Sequence, residues 1–189
     1  MENNTQLKEM IRSMVIDVLQ GQKQEMASSQ PIKQAPRGQV EPGVFDTVDE
    51  AIRAAKEAQL RFEDCTLATR EKVIADIRAA MRPRVQELAQ KTVEETGMGR
   101  VADKVLKLNL TLDKTPGVED LVTECETGDN GMTLYELSAY GVIGAITPST
   151  NPAETLICNS IGMLAAGNAI FFSVHPGAKN LSRELVSEL

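Results

Sequence analysis

The segment richest in potential chemistry is Gly141-Val-Ile-Gly-Ala-Ile-Thr-Pro-Ser-Thr-Asn-Pro152. An apolar run ends in a short polar loop, and a helical pattern starts at once. Ligands bind at such places in α/β sheets, beyond the carboxyl ends of strands. Thr147, Ser149, Thr150 and Asn151 supply side-chain donors at a helix N-terminus, while Pro148 stiffens the loop and removes a backbone donor. The Asn151 carboxamide is neutral, so it could donate to a developing oxyanion without bringing a charge of its own. Asn before Pro is also an ordinary helix cap, and the bare pattern leaves both roles open.

Other reactive or ligating types are sparse. Gly97-Met-Gly-Arg-Val-Ala102 fits G-x-G-x-x-A, but a dinucleotide fingerprint follows a strand and a helical pattern precedes this one, so capping glycines between helices are expected. The 3 cysteines, Cys65, Cys125 and Cys158, are far apart and the chain has 1 His, so no metal site is expected. Cys158, beside Leu156 and Ile157, reads as a buried structural thiol. Cys65 falls in a helix connection and Cys125 in a hairpin. His175 before Pro reads, taken alone, as a structural surface residue.

The elements that would position these residues follow from periodicity. Thr47 and Glu50 make a capping-box pattern ahead of a helix to about Phe62. A second helix is expected from about Thr69 to Met81. Pro83 then suits a first turn, so a third helix should run over 83–96 with Gly97 as its left-handed cap. A fourth runs from about Val101 to Asp113. Leu121–Glu126 and Met132–Ser138 alternate around Gly128-Asp-Asn-Gly131, a hairpin signal. Residues 140–147 and 169–174 are continuous apolar runs, as expected of buried parallel strands, and 152–166 and 178–189 are helical. The fold class is therefore α/β: helices, a β-hairpin, and the start of a doubly wound, Rossmann-like parallel sheet. Two parallel strands leave edges and faces uncovered, and the last helical pattern has no cap, so the chain is expected to be truncated in mid-fold.

Ahead of this lies a different pattern. Leu7, Met10, Ile11, Met14, Val15, Val18 and Leu19 form one apolar stripe of a helix over 3–20. Residues 21–43 have the Gln, Ser, Pro and Gly content of a flexible linker. The expected organisation is thus a docking helix over 1–20, a linker over 21–43 and a globular part over 44–189. A net charge of −7 argues against a nucleic-acid partner, because such affinity rests on neutralising phosphates. No apolar stretch is long enough to span a bilayer. A reducing, cytoplasmic setting fits the cysteine usage.

Taken together, Glu95-Thr-Gly-Met-Gly-Arg100, Thr115-Pro-Gly-Val-Glu119, Thr127-Gly-Asp-Asn-Gly131, Gly141-Val-Ile-Gly144, Thr147-Pro-Ser-Thr-Asn-Pro152 and Ala165-Ala-Gly-Asn-Ala169 with His175-Pro176 resemble the aldehyde dehydrogenase superfamily, and within it the CoA-acylating branch of bacterial microcompartments. The resemblance covers 44–189, and the helix and linker before it are similar to encapsulation peptides. It implies an enzyme that oxidises a short-chain aldehyde to acyl-CoA with NAD, NADP not being excluded, and coenzyme A as co-substrate. It implies that Asn151 is the side-chain half of an oxyanion hole. Ile146, Thr147, Pro148, Ser149 and Thr150 would line the nicotinamide side of the cofactor cleft. Ser173, His175, Pro176 and Gly177 would lie near the adenosine ribose. The hydrolytic branch usually has Lys where His175 stands and a carboxylate where Ala178 stands, and both departures fit the acylating branch.

The nucleophilic Cys of that family matches none of the three here and is expected beyond Leu189. The resemblance also implies a homo-oligomer, with the hairpin at about 121–138 serving oligomerisation. A microcompartment shell protein would bind residues 3–20 and place the protein in that compartment. The alternative is a non-catalytic truncated module that docks to a shell or to full-length subunits.

Overall fold

The computed structural model describes residues 43–189. The helix expected over 3–20 and the linker ahead of Gly43 lie outside the described residues. Helices α1 (Val48–Phe62), α2 (Leu67–Met81), α3 (Val85–Thr96) and α4 (Val101–Lys114) come first. A hairpin of β1 (Glu124–Gly128) and β2 (Gly131–Tyr135) follows, then β3 (Val142–Thr147), α5 (Pro152–Ala165), β4 (Ala169–Val174) and α6 (Lys179–Glu188). Strands β3 and β4 pair in parallel, which makes the protein α/β.

Local chemistry explains the boundaries. Thr47 caps α1 by accepting the Glu50 N–H at 3.2 Å. Thr66 accepts the Thr69 N–H at 3.2 Å, so α2 starts at Leu67 rather than at about Thr69. Pro83 lies in a 3₁₀ turn, Arg82–Arg84, that carries the chain from α2 into α3. Gly97 ends α3 with φ of 67°, a left-handed conformation that favours glycine.

The core is helical and centres on α5. Leu156, Ile157 and Ile161 are 0% exposed and meet Ile77 and Met81 of α2, Leu88 of α3, Leu108 and Leu112 of α4, and Leu181 and Leu185 of α6. Helix α5 also packs on both β3 and β4. Cys158 departs from expectation: it is exposed. Each helical residue turns by ~100°, so the position after Ile157 moves off the buried surface and onto a narrow outer strip shared with Gly162.

The strands are also less buried than their apolar runs suggest. In β3, Ala145 and Thr147 face the core, while Ile146 is 86% exposed. Helix α5 covers one face; α1 packs on the strands as well but leaves the carboxyl end of the other face open among the described residues. The start of β3 is held by a side chain instead of a third strand. Buried Asn168 accepts the Tyr140 N–H at 2.7 Å and the Gly141 N–H at 3.0 Å through Oδ1, and donates from Nδ2 to the Met163 carbonyl at 3.2 Å. One carboxamide thereby satisfies three backbone groups at the turn into β4.

Charged groups fasten the outer helices. Arg84 lies 2.9 Å from Glu87 and 2.5 Å from Glu184 and also pairs with Glu188, while Lys91 reaches Glu87 and Glu184 at 2.6 Å. These cations hold the Glu87 carboxyl down to about 2 and lower that of Glu184 too. The hairpin is amphipathic. Cys125 faces Leu134 and Thr127 faces Met132 on one side, while Glu126 faces Thr133 on the other. Both of its strands are exposed throughout, and Met132 and Leu134 are 65% and 58% accessible.

The Asn168 clip sets a measurable stability. Asn168→Ala removes the partner of two backbone donors at a part-buried turn, and each orphaned group costs up to ~1–3 kcal/mol. Urea unfolding followed by circular dichroism should show a midpoint well below that of the parent.

Candidate active site

The parallel register of β3 and β4 places Ile146 opposite Ser173 and Thr147 opposite Val174. The loops Pro148–Asn151 and His175–Gly177 therefore leave the same sheet edge side by side. Thr147 is buried, and its Oγ1 has no hydrogen-bond partner. Ile146, Pro148, Thr150, Ser173, His175, Pro176 and Gly177 are exposed, and Ser149 is half-buried with its Oγ 3.9 Å from the Met98 sulfur. His175 Nδ1 accepts the Gly177 N–H at 3.0 Å, so a neutral ring carries its proton on Nε2. This bond shapes the turn into α6. Glu95 completes that turn: its two oxygens accept the Asn180 N–H at 2.9 Å and the Leu181 N–H at 2.7 Å. A carboxylate on these first-turn N–H groups also suits the positive end of the helix dipole.

Asn151 occupies the position before α5, with Pro152 as the first helical residue. Its backbone carbonyl accepts the Thr155 N–H at 3.1 Å, yet its side chain makes no capping bond. Instead, Oδ1 accepts from Lys104 Nζ at 3.1 Å and from Lys107 Nζ at 3.2 Å, both on α4. Lys104 is 3% exposed; it also donates to the Thr150 carbonyl and lies 3.5 Å from Glu154 Oε1. Gly99, with φ of +83°, lies against the Lys104 stem, where an added Cβ would come within 3.2 Å of Cε. Met98, Gly99, Arg100, Leu106 and Lys107, with Thr150 and Asn151, line a cleft of about 570 Å³. Cys65, Cys125 and Cys158 do not line it.

Lys104, Lys107 and Glu154 escape a reading that follows only apolar periodicity. A signal was present nonetheless. Lys104, Leu108 and Leu112 recur every four residues, and all three are buried, so a cation sits on the apolar stripe of α4. Buried lysines are rare unless paired. Among the described residues there is no group of three His, Cys, Asp or Glu side chains that could hold a metal ion, and no helix long and apolar enough to cross a membrane.

A strand–helix–strand unit with two loops converging at its carboxyl edge makes an α/β protein with its loops where such sheets bind ligands. Residues 18–185 match the aldehyde dehydrogenase family profile, and the chain belongs to that family. It is 48% identical over 185 residues to a propanal dehydrogenase (CoA-propanoylating) of Salmonella typhimurium, covering 98% of this chain and 38% of that enzyme. A propionaldehyde dehydrogenase from the fucose utilisation microcompartment of Clostridium phytofermentans superposes with a TM-score of 0.72 at 51% identity, over 76% of this chain and 34% of that one. A Rhodopseudomonas palustris propionaldehyde dehydrogenase with bound propionyl-CoA gives 0.75 at 45% identity, over 84% and 36%. The chain thus spans little more than a third of the length of these relatives, and it matches their α/β fold over that part.

The Glu95 clip carries its own prediction. Hydrogen bonds to charged groups contribute ~1.5–3 kcal/mol, so Glu95→Ala should cut amide-exchange protection at Asn180 and Leu181 by about tenfold or more. Core amides such as that of Ile157 should stay protected, as mass spectrometry or NMR would report.

Proposed function

We propose that this chain supplies the cofactor-side part of a CoA-acylating aldehyde dehydrogenase, oxidising a short-chain aldehyde to its acyl-CoA. The observation that carries the proposal is the orientation of Asn151. Both lysines hold its Oδ1, and among the described residues nothing accepts from its Nδ2. The amide N–H groups are thereby left to donate to an oxygen that gains negative charge.

In the proposed reaction a Cys thiolate, from a part of the relatives that this chain does not match, adds to the aldehyde carbon. Asn151 stabilises the oxygen as it becomes negative. A bound nicotinamide supplies the hydride acceptor; loss of hydride leaves a thioester, and the CoA thiol then takes the acyl group. The loops at the sheet edge suit a dinucleotide. Residues 146–151 and 173–177 contain no carboxylate to repel phosphates, and exposed Ile146 offers an apolar shelf to a flat ring. Residues 173–177, at the expected ribose position, carry no acid of their own, and the nearby Glu95 carboxylate is engaged by the Asn180 and Leu181 N–H groups, so the reading keeps both NAD and NADP. The non-catalytic alternative is not favoured, because the matches are to enzymes.

The test is a chimaera in which this chain replaces the matching region of the Salmonella typhimurium propanal dehydrogenase. CoA-dependent reduction of NAD or NADP by propanal is expected. Asn151→Ala should then lower kcat by ~10²–10³ with the cofactor Kd nearly unchanged. An inactive but folded chimaera, or an Asn151→Ala variant within a few-fold of the parent, overturns the proposal.

Assembly follows the same family logic. The apolar side of the hairpin, Met132 and Leu134, is offered as an oligomer contact. The stripe from Leu7 to Leu19 is assigned to a microcompartment shell protein. A lone helix under ~20 residues is marginal in water and orders best on a partner. A reporter fused to residues 1–20 should enter shells produced in the same cell, and Val15→Glu with Leu19→Glu should disperse it, as fluorescence microscopy would show. If the parent fusion stays dispersed while deletion of residues 1–20 lowers the Tm of the chimaera, the stripe packs on its own fold.

A further inference from the structure

We propose that Lys104 is the positioning residue that sets which way the Asn151 carboxamide points. This inference rests on the oxyanion role proposed for Asn151 and extends it to a residue on another helix. A carboxamide has two nearly isosteric ends, and a half-turn about its last bond exchanges the acceptor for the donors. Only the orientation with Nδ2 toward the reacting oxygen is useful, since the other would present Oδ1 to an oxyanion. Something must therefore distinguish the two ends.

An ammonium group does so without ambiguity, because it has three donors and no acceptor. Lys104 Nζ approaches Asn151 at 3.1 Å, so the end facing it must be the oxygen. The lysine itself has little freedom to move away. Its side chain is 4% exposed, it donates to the Thr150 carbonyl next door, and its third direction is taken by Glu154 Oε1 at 3.5 Å. Both Glu154 oxygens are buried without a hydrogen bond, so that carboxylate depends on the Lys104 charge. Glu154 lies on the first turn of α5, three residues beyond Asn151, and the ion pair thereby ties α4 to the same helix end that Asn151 begins. Lys107 adds a second donor to Oδ1 at 3.2 Å, but from an exposed position. The buried ion pair gives Lys104 the fixed geometry that Lys107 lacks.

The experiment is a double-mutant cycle in the chimaera. Lys104→Met alone would strand the buried Glu154 charge and endanger folding, so the working variant is Lys104→Met with Glu154→Gln. With fold verified by circular dichroism and Tm, this variant should lose about 10- to 10²-fold in kcat, as expected when a catalytic donor is misplaced, with little change in the cofactor Kd. In the Asn151→Ala background the same pair should cost less than about twofold, within the scatter of non-interacting sites, because the group it positions is gone.

A purely structural role would lower kcat equally in both backgrounds. Equal losses, or a folded Lys104→Met/Glu154→Gln variant with parental kcat while Asn151→Ala is slow, overturns the positioning role and leaves the oxyanion proposal standing. A fast Asn151→Ala variant removes both.

Discussion

Helix α5 must be buried on nearly every side and still begin at a wet, reactive edge. Most of this structure follows from meeting both demands. Four helices and two strands close around it, so its length is set by the core and its first residue is set by the end of β3. Whatever chemistry Asn151 performs, it acts from the end of a helix that cannot shift without disturbing Leu156, Ile157 and Ile161 together. Close packing of that kind makes the N-terminus of α5 a rigid mount.

The rigidity would be of little use if the polar groups around it were left unpaired. They are provided for by side chains that reach across elements. Asn168 pins the entry to β3, Glu95 pins the entry to α6, and the Lys104–Glu154 pair pins the entry to α5. Each sits at a junction where regular backbone pairing runs out. The family motifs thus divide by physical task. Glu95 and Asn168 lie inside the recognised sequence blocks but hold the scaffold, whereas Asn151 faces the cleft.

Much of this was legible in the sequence, for definite reasons. The order of elements followed from apolar periodicity and from the capping signals at Thr47, Gly97 and Pro152. The pairing of the two ligand loops followed from the rule for parallel strands. What periodicity could not supply was the set of contacts between residues distant in sequence. Lys104 was hidden because a polar residue on an apolar stripe looks like an interruption until its partner is known, and Glu154 lies on a different helix. Cys158 was misplaced because its neighbours in sequence are buried, while burial on a helix is decided by angle. The run 140–147 was expected to be covered on both faces because apolar strands suggest it, and α5 covers only one of them. The role of residues 3–20 depends on a partner, which no internal pattern specifies.

The Arg84 network and the Glu95 clip join residues 85, 100 and 104 positions apart along the chain. The residues of α3 are synthesised long before α6 exists to receive its charges. At a synthesis rate of ~5–20 residues per second, about 5–20 s separate the two. During that interval the apolar surface later covered by Leu181 and Leu185 is open to water and to other chains. Synthesis therefore includes a window in which the residues of α3 are present and α6 is not yet there to cover them. The pairing of Arg84 with Glu184 and Glu188 forms only once α6 is in place.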